Sequence, residues 1–293
     1  MKVRILGTAA GGGVPQWNCA CPQCTVARRT GAARTQDCLA VSANGSHWHL
    51  VNASPDLRVQ ILAAPDMVPG PGRRDTPVRG VLLTDAELDH TLGLLALREG
   101  AKLDVYGSAP VLLALDDCFP IRRIMGPYGS TRWHEVVAGE PFELSDGLQV
   151  RAVPLGAKRP RYAADQPARD DWVLAYRFAD PVTGSALLYA PCLAEWTPAF
   201  GSALKGVSQL VVDGSFYHQD EMIRTAGWAP SSRDMGHLPI SESLEALAAH
   251  PGLRCLYTHV NNTNPVLDPH SAERDAVRAA GADVATEGHE LEL

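Results

Sequence analysis

Short apolar runs and stretches of helical periodicity alternate along the chain, and glycine or proline ends many of them. Branched, leucine and aromatic residues that alternate with polar ones, or follow one another without a break, predict β-strands. Such runs occupy residues 2–6, 78–83, 103–106, 148–153, 172–178, 186–189, 210–212 and 253–257. Two helices are predicted by apolar residues at helical spacing, namely Leu92, Leu95 and Ala96 up to Gly100, and Leu244, Leu247 and Ala248 up to Pro251.

The order of these elements predicts the fold class. Each half of the chain contains several predicted strands and a predicted helix, which is typical of an α/β (α+β) protein with two packed sheets and helices outside, an αββα sandwich. Residues 65–77, rich in proline and glycine, are expected to form a surface loop, because strand patterns continue on both sides. Residues 159–170 form a second long loop, and loops of that length are often lids or disordered segments.

Composition excludes some classes of function. The net charge of −7 over 293 residues argues against a nucleic-acid-binding protein, which would normally carry a basic face. No apolar run approaches the roughly 18 residues of a membrane span, and the N-terminus has no signal-peptide pattern, so no membrane association is expected. The seven cysteines are odd in number and unevenly spread, so we expect a reducing compartment, the cytoplasm, and no disulfide scaffold.

The densest cluster of chemically active residues is the C-x-C-x-x-C motif of Cys19, Cys21 and Cys24. Three thiolates this close in sequence can bind one Zn²⁺, whose structural sites need a fourth nitrogen or sulfur ligand. Three free buried cysteines, or a redox pair, are the weaker interpretations. The motif predicts a structural zinc that fixes an N-terminal loop over about residues 7–30.

A second cluster of ionisable residues follows the apolar run at residues 78–83. Asp85, Glu87, Asp89 and His90 lie within six residues of one another, where a strand leads into a helix. Carboxylates this close repel one another unless a cation lies among them. Acidic residues that favour a helix N-terminus are the alternative interpretation, which accounts for Glu87 or Asp89 but poorly for His90. We therefore predict a metal site.

Three more polar residues follow apolar or glycine-bounded runs. His259 ends the last predicted strand, so its position mirrors that of His90 in the other half of the chain. Asp213 follows the run at 210–212, and His237 follows Gly236. Each of these residues alone is weak evidence for function, since a histidine at a strand end is often only a hydrogen-bonding residue.

The motifs together resemble the metallo-β-lactamase superfamily: a strand, then x-x-D-H, a helix that starts T-L-G-L, and a late strand that ends in T-H. Within it, GTAAGGGVPQWNCACPQC at residues 7–24, LTDAELDH at 83–90 and THVNNTNP at 258–265 are similar to the family of PQQ biosynthesis B proteins. The resemblance covers essentially the whole chain. It implies the αββα fold and a single domain over residues 1–293.

The chain departs from the superfamily pattern H-x-H-x-D-H, in which two histidines bind a first metal and Asp-His binds a second. Asp85 and Glu87 replace the first two histidines, no histidine occurs near residues 155–157, and no bridging aspartate occurs near residues 190–192. Asp89, His90 and His259 remain. Two imidazoles and one carboxylate are the ligands of non-haem Fe(II) oxygenases, so we expect Fe(II) or another divalent metal at this site.

The resemblance also implies the roles of the other site residues and the substrate. Asp85 and Glu87 are expected to orient substrate, accept a proton or add a ligand, and Asp213 and His237 to act in acid–base chemistry or to support the ligands. The expected reaction is hydroxylation of the tyrosine ring in a cross-linked Glu–Tyr intermediate of pyrroloquinoline quinone (PQQ) synthesis. A mononuclear zinc hydrolase and a non-catalytic PQQ carrier are the alternatives.

Three further points stay open from the sequence. Arg159, Arg161 and Arg169 are possible partners for the substrate's carboxylates, although a solvated flexible loop is an equally good interpretation. Relatives with this cysteine cluster have a histidine where this sequence has Asn262, so His218 or His270 are candidates for the fourth zinc ligand. A homodimer is common in this fold and is possible here.

Overall fold

A computed structural model describes residues 1–99, 102–227 and 230–293, and within them lie two seven-stranded sheets. The first sheet contains β1 (Lys2–Gly7), β2 (Cys38–Ser42), β3 (Trp48–Val51), β4 (Val78–Leu82), β5 (Leu103–Gly107), β6 (Thr131–Glu135) and β14 (Glu290–Glu292), in the order β14-β1-β2-β3-β4-β5-β6. The second contains β7 (Pro141–Glu143), β8 (Gln149–Gly156), β9 (Val173–Ala179), β10 (Ala186–Ala190), β11 (Gln209–Asp213), β12 (Arg254–Thr258) and β13 (Ala282–Val284), in the order β13-β12-β11-β10-β9-β8-β7.

Short helices connect the strands. They are α1 (Pro22–Thr30), α2 (Leu57–Ala63), α3 (Leu88–Thr91), α4 (Ala109–Leu113), α5 (Ile121–Met125), α6 (Pro198–Ala203), α7 (Glu221–Ala226), α8 (Ile240–Leu247) and α9 (Ala272–Ala279). One apolar cluster joins the first sheet to α2, α4 and α5, and another joins the second sheet to α6, α8 and α9. The helices therefore cover the outer faces of both sheets.

A third apolar cluster fills the space between the sheets. Ile5, Val41 and Leu82 of the first sheet belong to it with Tyr176 and Val211 of the second, and all five side chains are almost completely buried. Burial of apolar surface is the main favourable contribution to folding. Each sheet thus has one face against its partner and one against helices, which confirms the predicted αββα sandwich.

The ends of several parallel strands meet at one edge of the sandwich. β10, β11 and β12 run parallel to one another in the second sheet, and β4 runs parallel to β3 and β5 in the first. Strands that run the same way place their carboxyl ends at the same edge, which is where ligands bind in many α/β folds. The polar residues that follow β4, β11 and β12 are brought together for this reason.

The predicted runs match eight of the strands to within a few residues, while the edge strands β7, β13 and β14 are too short, at three residues each, to show a pattern. The helix expected from Leu92 to Gly100 is wrong in type: α3 ends at Thr91, and a 3₁₀ segment continues over Leu92–Leu97. Gly100 lies outside the described residues. Among the described residues, no helix is long and apolar enough to span a membrane.

Candidate active site

A pocket of about 210 Å³ opens at the edge where the parallel strands end. Its wall includes the five residues that were predicted to follow β4 and β12, namely Asp85, Glu87, Asp89, His90 and His259. His237 is also part of this wall. Asp213 is buried directly behind His237. The structure therefore brings all seven of the residues predicted for this site into one region.

Asp89, His90 and His259 converge from the two sheets. Oδ2 of Asp89 lies 3.3 Å from Nε2 of His259 and 3.8 Å from Nε2 of His90. Ligands at about 2.0–2.2 Å from one metal ion are separated by about 3.3 Å in tetrahedral geometry. The observed separations are thus close to those that a single ion requires.

Asp85 holds the ring of His90. Both of its carboxylate oxygens lie 2.8 Å from Nδ1 of His90, and Oδ1 also accepts the backbone N–H of Glu87. A carboxylate on the far nitrogen of a metal-ligating histidine fixes its tautomer and increases its basicity. Asp85 is therefore placed as a positioning residue for His90, not as a ligand of the ion.

The buried Nε2 atom of His90 shows whether a cation fits this site. The side chain is completely buried, and its Nε2 has no hydrogen-bond partner among the described residues. Burial alone would lower the pKa of His90, but the charges of Asp85 and Asp89 raise it to about 10. The same negative field attracts a divalent cation, which would replace the proton on Nε2. The donor set fits a divalent metal.

Glu87 lines the pocket beside two other carboxylates, those of Asp85 and Asp89. Burial, together with the nearby carboxylates of Asp85 and Asp89, raises the pKa of Glu87 to about 7. Close to neutral pH, this carboxyl can therefore accept or release a proton beside the ion.

Asp213, Ser215 and His237 form a hydrogen-bond network behind His259. Nδ1 of His237 donates to Oδ2 of Asp213 at 2.7 Å, and the Ser215 hydroxyl donates to Oδ1 of Asp213 at 2.7 Å. The same hydroxyl accepts from Nδ1 of His259 at 2.8 Å. These assignments leave Nε2 of His259 free to bind a metal, and Nε2 of His237 free to face the pocket as a base.

The network also explains the charge of Asp213. Its burial opposes ionisation, but the positive charge and hydrogen bond of His237 hold the pKa of Asp213 below its usual range. The hydrogen bond from Nδ1 of His237 to Asp213 fixes the orientation of the imidazole, which is the arrangement that general acid–base catalysis uses.

Two backbone features bring the ligands together. His259 has φ of 55°, in the left-handed region that non-glycine residues rarely adopt and that is often found at functional sites. On the opposite side, a Cβ at Gly11 would lie 3.2 Å from Oδ2 of Asp89, so glycine lets the N-terminal loop approach that carboxylate closely.

Sequence reasoning missed Asp37 and Cys192. Asp37 is fully buried and accepts hydrogen bonds from the hydroxyls of Thr258 and Tyr189, which supports the end of β12 just before His259. Cys192 lines the pocket two residues after β10. Its Sγ and one nitrogen each of His90 and His259 all lie within 4.8 Å of one another. Neither residue belongs to a sequence motif of this site. The only signals in the sequence are that Asp37 directly precedes β2 and that Cys192 follows β10.

The cations of the second long loop are not where the substrate hypothesis needed them. The guanidinium of Arg159 donates to the carbonyl of Gln166, and that of Arg169 pairs with Asp171 at 3.0 Å, so both are bound within or next to their own loop. Arg161 is exposed and is not part of the pocket wall. Lys158, directly before this loop, lines the pocket instead. Of the two interpretations of this loop, the structure favours the one in which its arginines make local or solvent contacts.

The three cysteines of the N-terminal motif form a separate cluster. The ligand atoms of Cys19, Cys21 and Cys24 lie within 4.8 Å of one another. The N–H of Gln16 points at Sγ of Cys24 at 3.3 Å, and the N–H of Cys21 at Sγ of Cys19 at 3.4 Å. Donors aimed at sulfur stabilise thiolates, so the cluster fits the predicted zinc.

The side-chain amide of Asn262 occupies the fourth side of this cluster. Its Nδ2 lies 3.1, 3.7 and 3.3 Å from the sulfurs of Cys19, Cys21 and Cys24. The two ends of an asparagine amide exchange by a flip, so its carbonyl oxygen can point at an ion held by the thiolates. Of the candidates named from sequence, His218 pairs with Glu273 at 3.5 Å and His270 is exposed, so the structure favours Asn262 over both.

Comparison with known proteins gives the family. A model described as a β-lactamase superfamily domain matches residues 47–260. The coenzyme PQQ synthesis protein B of Azoarcus sp. is 39% identical over 307 residues, which covers 100% of both chains. The protein of the same name from Methylobacterium radiotolerans is 40% identical over 309 residues, again with 100% of both chains covered.

Solved structures agree with this. The structure of Zn²⁺-bound PqqB from Methylobacterium extorquens superimposes with a TM-score of 0.92 at 36% identity, over 100% of both chains. A diphosphatase of the PhnP family superimposes with a TM-score of 0.72 over 99% of this chain and 96% of its own, at 19% identity, and shows the fold alone. The chain therefore belongs to the coenzyme PQQ synthesis protein B family, within the β-lactamase superfamily.

Proposed function

We propose that the protein is a metal-dependent oxygenase of PQQ biosynthesis, which hydroxylates the tyrosine-derived ring of a cross-linked Glu–Tyr intermediate. The family supports the pathway. One observation of the structure supports the reaction type: Oδ2 of Asp89 lies 3.3 Å from Nε2 of His259 and 3.8 Å from Nε2 of His90, while both carboxylate oxygens of Asp85 are bound to Nδ1 of His90.

A single ion with two imidazoles and one carboxylate retains open positions, and when it is Fe(II) it supplies O₂ binding and reduction. The relative from Methylobacterium extorquens was solved with Zn²⁺, and the thiolate cluster of this chain suits that metal. We therefore propose zinc at Cys19, Cys21 and Cys24, and a redox-active divalent ion at the pocket.

The residues around the ion have separate tasks. His237, oriented by Asp213, takes the proton that leaves the ring when oxygen is added, and Glu87 holds a second proton near neutral pH. Lys158 is the cation of the described pocket wall outside the histidines, and its ammonium donates to the carbonyl of Asp234 at 3.2 Å with further N–H donors left for a carboxylate. We propose that it binds a glutamate-derived carboxylate of the substrate.

The experiment compares metals on the same preparation. Protein purified anaerobically, with zinc retained in the thiolate cluster, is loaded at the pocket with Fe(II) or with Zn²⁺ and supplied with a Glu–Tyr substrate. With Fe(II) only, and with a two-electron reductant supplied beside O₂, we expect oxygen uptake and a product heavier by one oxygen atom, the second oxygen atom of O₂ leaving as water. Turnover without oxygen uptake in the Zn²⁺ form supports the hydrolase, and tight quinone binding without turnover in either form supports the carrier.

A further inference from the structure

Cys192 stands where the superfamily pattern expects a bridging aspartate, in the turn after β10. The sulfur is part of the pocket wall, and it lies within 4.8 Å of one nitrogen of His90 and one of His259. A single cysteine close to histidines is weak evidence alone, because free thiols are common in protein interiors.

The two histidines supply the second, independent observation. Nδ1 of His90 is bound by Asp85, and Nδ1 of His259 by Ser215, so Nε2 is the nitrogen that each ring has left for a metal ion. Nε2 of His90 is buried and has no partner in the described part of the chain. A buried polar atom without a partner is costly unless a ligand satisfies it.

We propose that the thiolate of Cys192 is a fourth protein ligand of the pocket's metal ion, beside Asp89, His90 and His259. This inference rests on the single-ion site proposed above. Bonds of about 2.3 Å to sulfur and 2.0–2.1 Å to nitrogen place donors about 3.5 Å apart, so from separations within 4.8 Å the sulfur needs to approach each nitrogen by at most about 1.3 Å.

The structure also fixes the segment that carries this sulfur. The N–H of Leu193 donates to Oδ2 of Asp213 at 2.8 Å, and the same oxygen accepts from His237. β10 pairs with β11 in parallel up to the pair Ala190–Val212. Asp213 follows this pair directly, and Cys192 follows it by two residues. Asp213 thus positions the turn of Cys192 as well as His237.

A fourth ligand changes which reactions the site can support. One carboxylate and one thiolate neutralise a divalent ion, and four protein ligands complete a tetrahedral zinc site, as in structural zinc sites that have no open position. Iron with six positions keeps two open, enough for O₂ and a substrate oxygen. Ligation by Cys192 therefore favours the oxygenase over the zinc hydrolase.

The test uses Co(II), whose bonds to thiolate give strong near-ultraviolet absorption, while Zn²⁺ is silent. Co(II) is titrated into protein whose pocket metal has been removed by a mild chelator and whose thiolate-cluster zinc is verified by metal analysis. The variants are Cys192→Ser and, as a matched control, Cys118→Ser, whose sulfur accepts from Gln166 at 3.4 Å away from either metal cluster.

We expect the sulfur band in the wild type and in Cys118→Ser, its loss in Cys192→Ser, and Co(II) affinity in that variant lower by about tenfold or more. Equal bands in the wild type and Cys192→Ser, or no band in either while one Co(II) binds, overturn the proposal. In those cases Fe(II)-dependent oxygen uptake by the same preparation shows that the proposed function stands. Failure of Co(II) to bind the pocket at all overturns both.

Discussion

Oδ2 of Asp89 and Nε2 of His259 lie 3.3 Å apart although the two residues are separated by 170 positions in the chain. Asp89 follows β4 of the first sheet and His259 follows β12 of the second, so the contact joins the two sheets at their common edge. A site made in this way exists only when both sheets pack correctly. Because the two side chains lie in the pocket wall and outside the apolar clusters, replacing either one tests the site without disturbing the packing of the sheets.

Asp89→Ala and His259→Ala should each remove the pocket metal and abolish turnover while the fold persists. Both side chains line the pocket and contribute nothing to the three large apolar clusters. Metal analysis should show one equivalent lost and the zinc of the thiolate cluster retained, with a circular-dichroism spectrum like that of the wild type. Asp116→Ala, at a half-buried carboxylate that pairs with Arg122 and Arg123 and is not part of the pocket wall, is the control. Unfolding of both ligand variants would contradict the assignment.

Cys21→Ser should release zinc and lower the melting temperature by about 5 °C or more, because a metal bound only by the folded state stabilises it. The thiolate cluster joins the loop before α1 to Asn262, which lies in the segment after β12. Thermal unfolding with metal analysis measures both effects, and Cys118→Ser serves as the comparison. A variant with normal zinc content and melting temperature would show that the cluster is not a structural site.

Asn262→His should tighten zinc binding at the thiolate cluster. An imidazole nitrogen is a better zinc ligand than an amide oxygen, and the side chain already lies 3.1–3.7 Å from the three sulfurs. Competition with a chromophoric chelator should give an affinity higher by about tenfold or more in Asn262→His and lower in Asn262→Ala. The same affinity in all three proteins would mean that residue 262 does not contact the ion.

His237→Gln should lower kcat by about 100-fold without loss of pocket metal, because a positioned general base contributes about that much. Nδ1 of His237 donates to Oδ2 of Asp213 at 2.7 Å. The Ser215 hydroxyl links this imidazole to His259, since it lies 3.1 Å from Nδ1 of His237 and 2.8 Å from Nδ1 of His259. The pH profile of kcat should lose its lower limb in the variant. A normal kcat would remove His237 from the proposed proton transfer.

The metal-free protein should lose stability as pH rises from about 5 to 7. Burial and the neighbouring carboxylates raise the folded-state pKa of Glu87 to about 7, above its unfolded value, so the folded state binds the proton more tightly and its advantage disappears as pH increases through this window. Glu221, whose pKa burial also raises to about 7, contributes in the same direction.

Glu87→Gln isolates the first contribution. The variant should be more stable than the wild type at pH 8 by about 1–3 kcal/mol when metal-free, and nearly equal to it at pH 4. Urea unfolding at both pH values measures the difference. Since bound metal compensates the carboxylate charges, the gain should shrink in the loaded protein. If the metal-free variant and wild type were equally stable at pH 8, the ionised Glu87 carboxylate would not destabilise the folded state, which would contradict the raised pKa.

Sequence reasoning identified the parts of the site that have a local signature. The cluster from Asp85 to His90 follows a strongly apolar run, and His259 ends another, so both could be assigned to strand ends. The roles of Asp213 and His237 were expected only through the family resemblance, and their direct contact was not predicted, because it depends on β11 lying beside the loop that precedes α8.

Other features depend on packing that no local pattern encodes. Cys192 has no metal-binding neighbour in sequence, and its role emerges only when β10 places it beside two histidines from other strands. Asn262 reaches the thiolate cluster because the left-handed His259 turns the chain toward it. Charge alone left open whether the arginines of residues 159–170 reach the pocket, while local carbonyl and carboxylate partners bind two of them.

Anomalous diffraction from crystals of the native protein, recorded at the iron and zinc edges, tests the central claim most directly. The account predicts zinc at Cys19, Cys21 and Cys24, and one ion with a redox-active edge bound by Asp89, His90 and His259. Two ions bridged within the pocket, or an ion bound by Asp85 and Glu87 in place of these three residues, would contradict it.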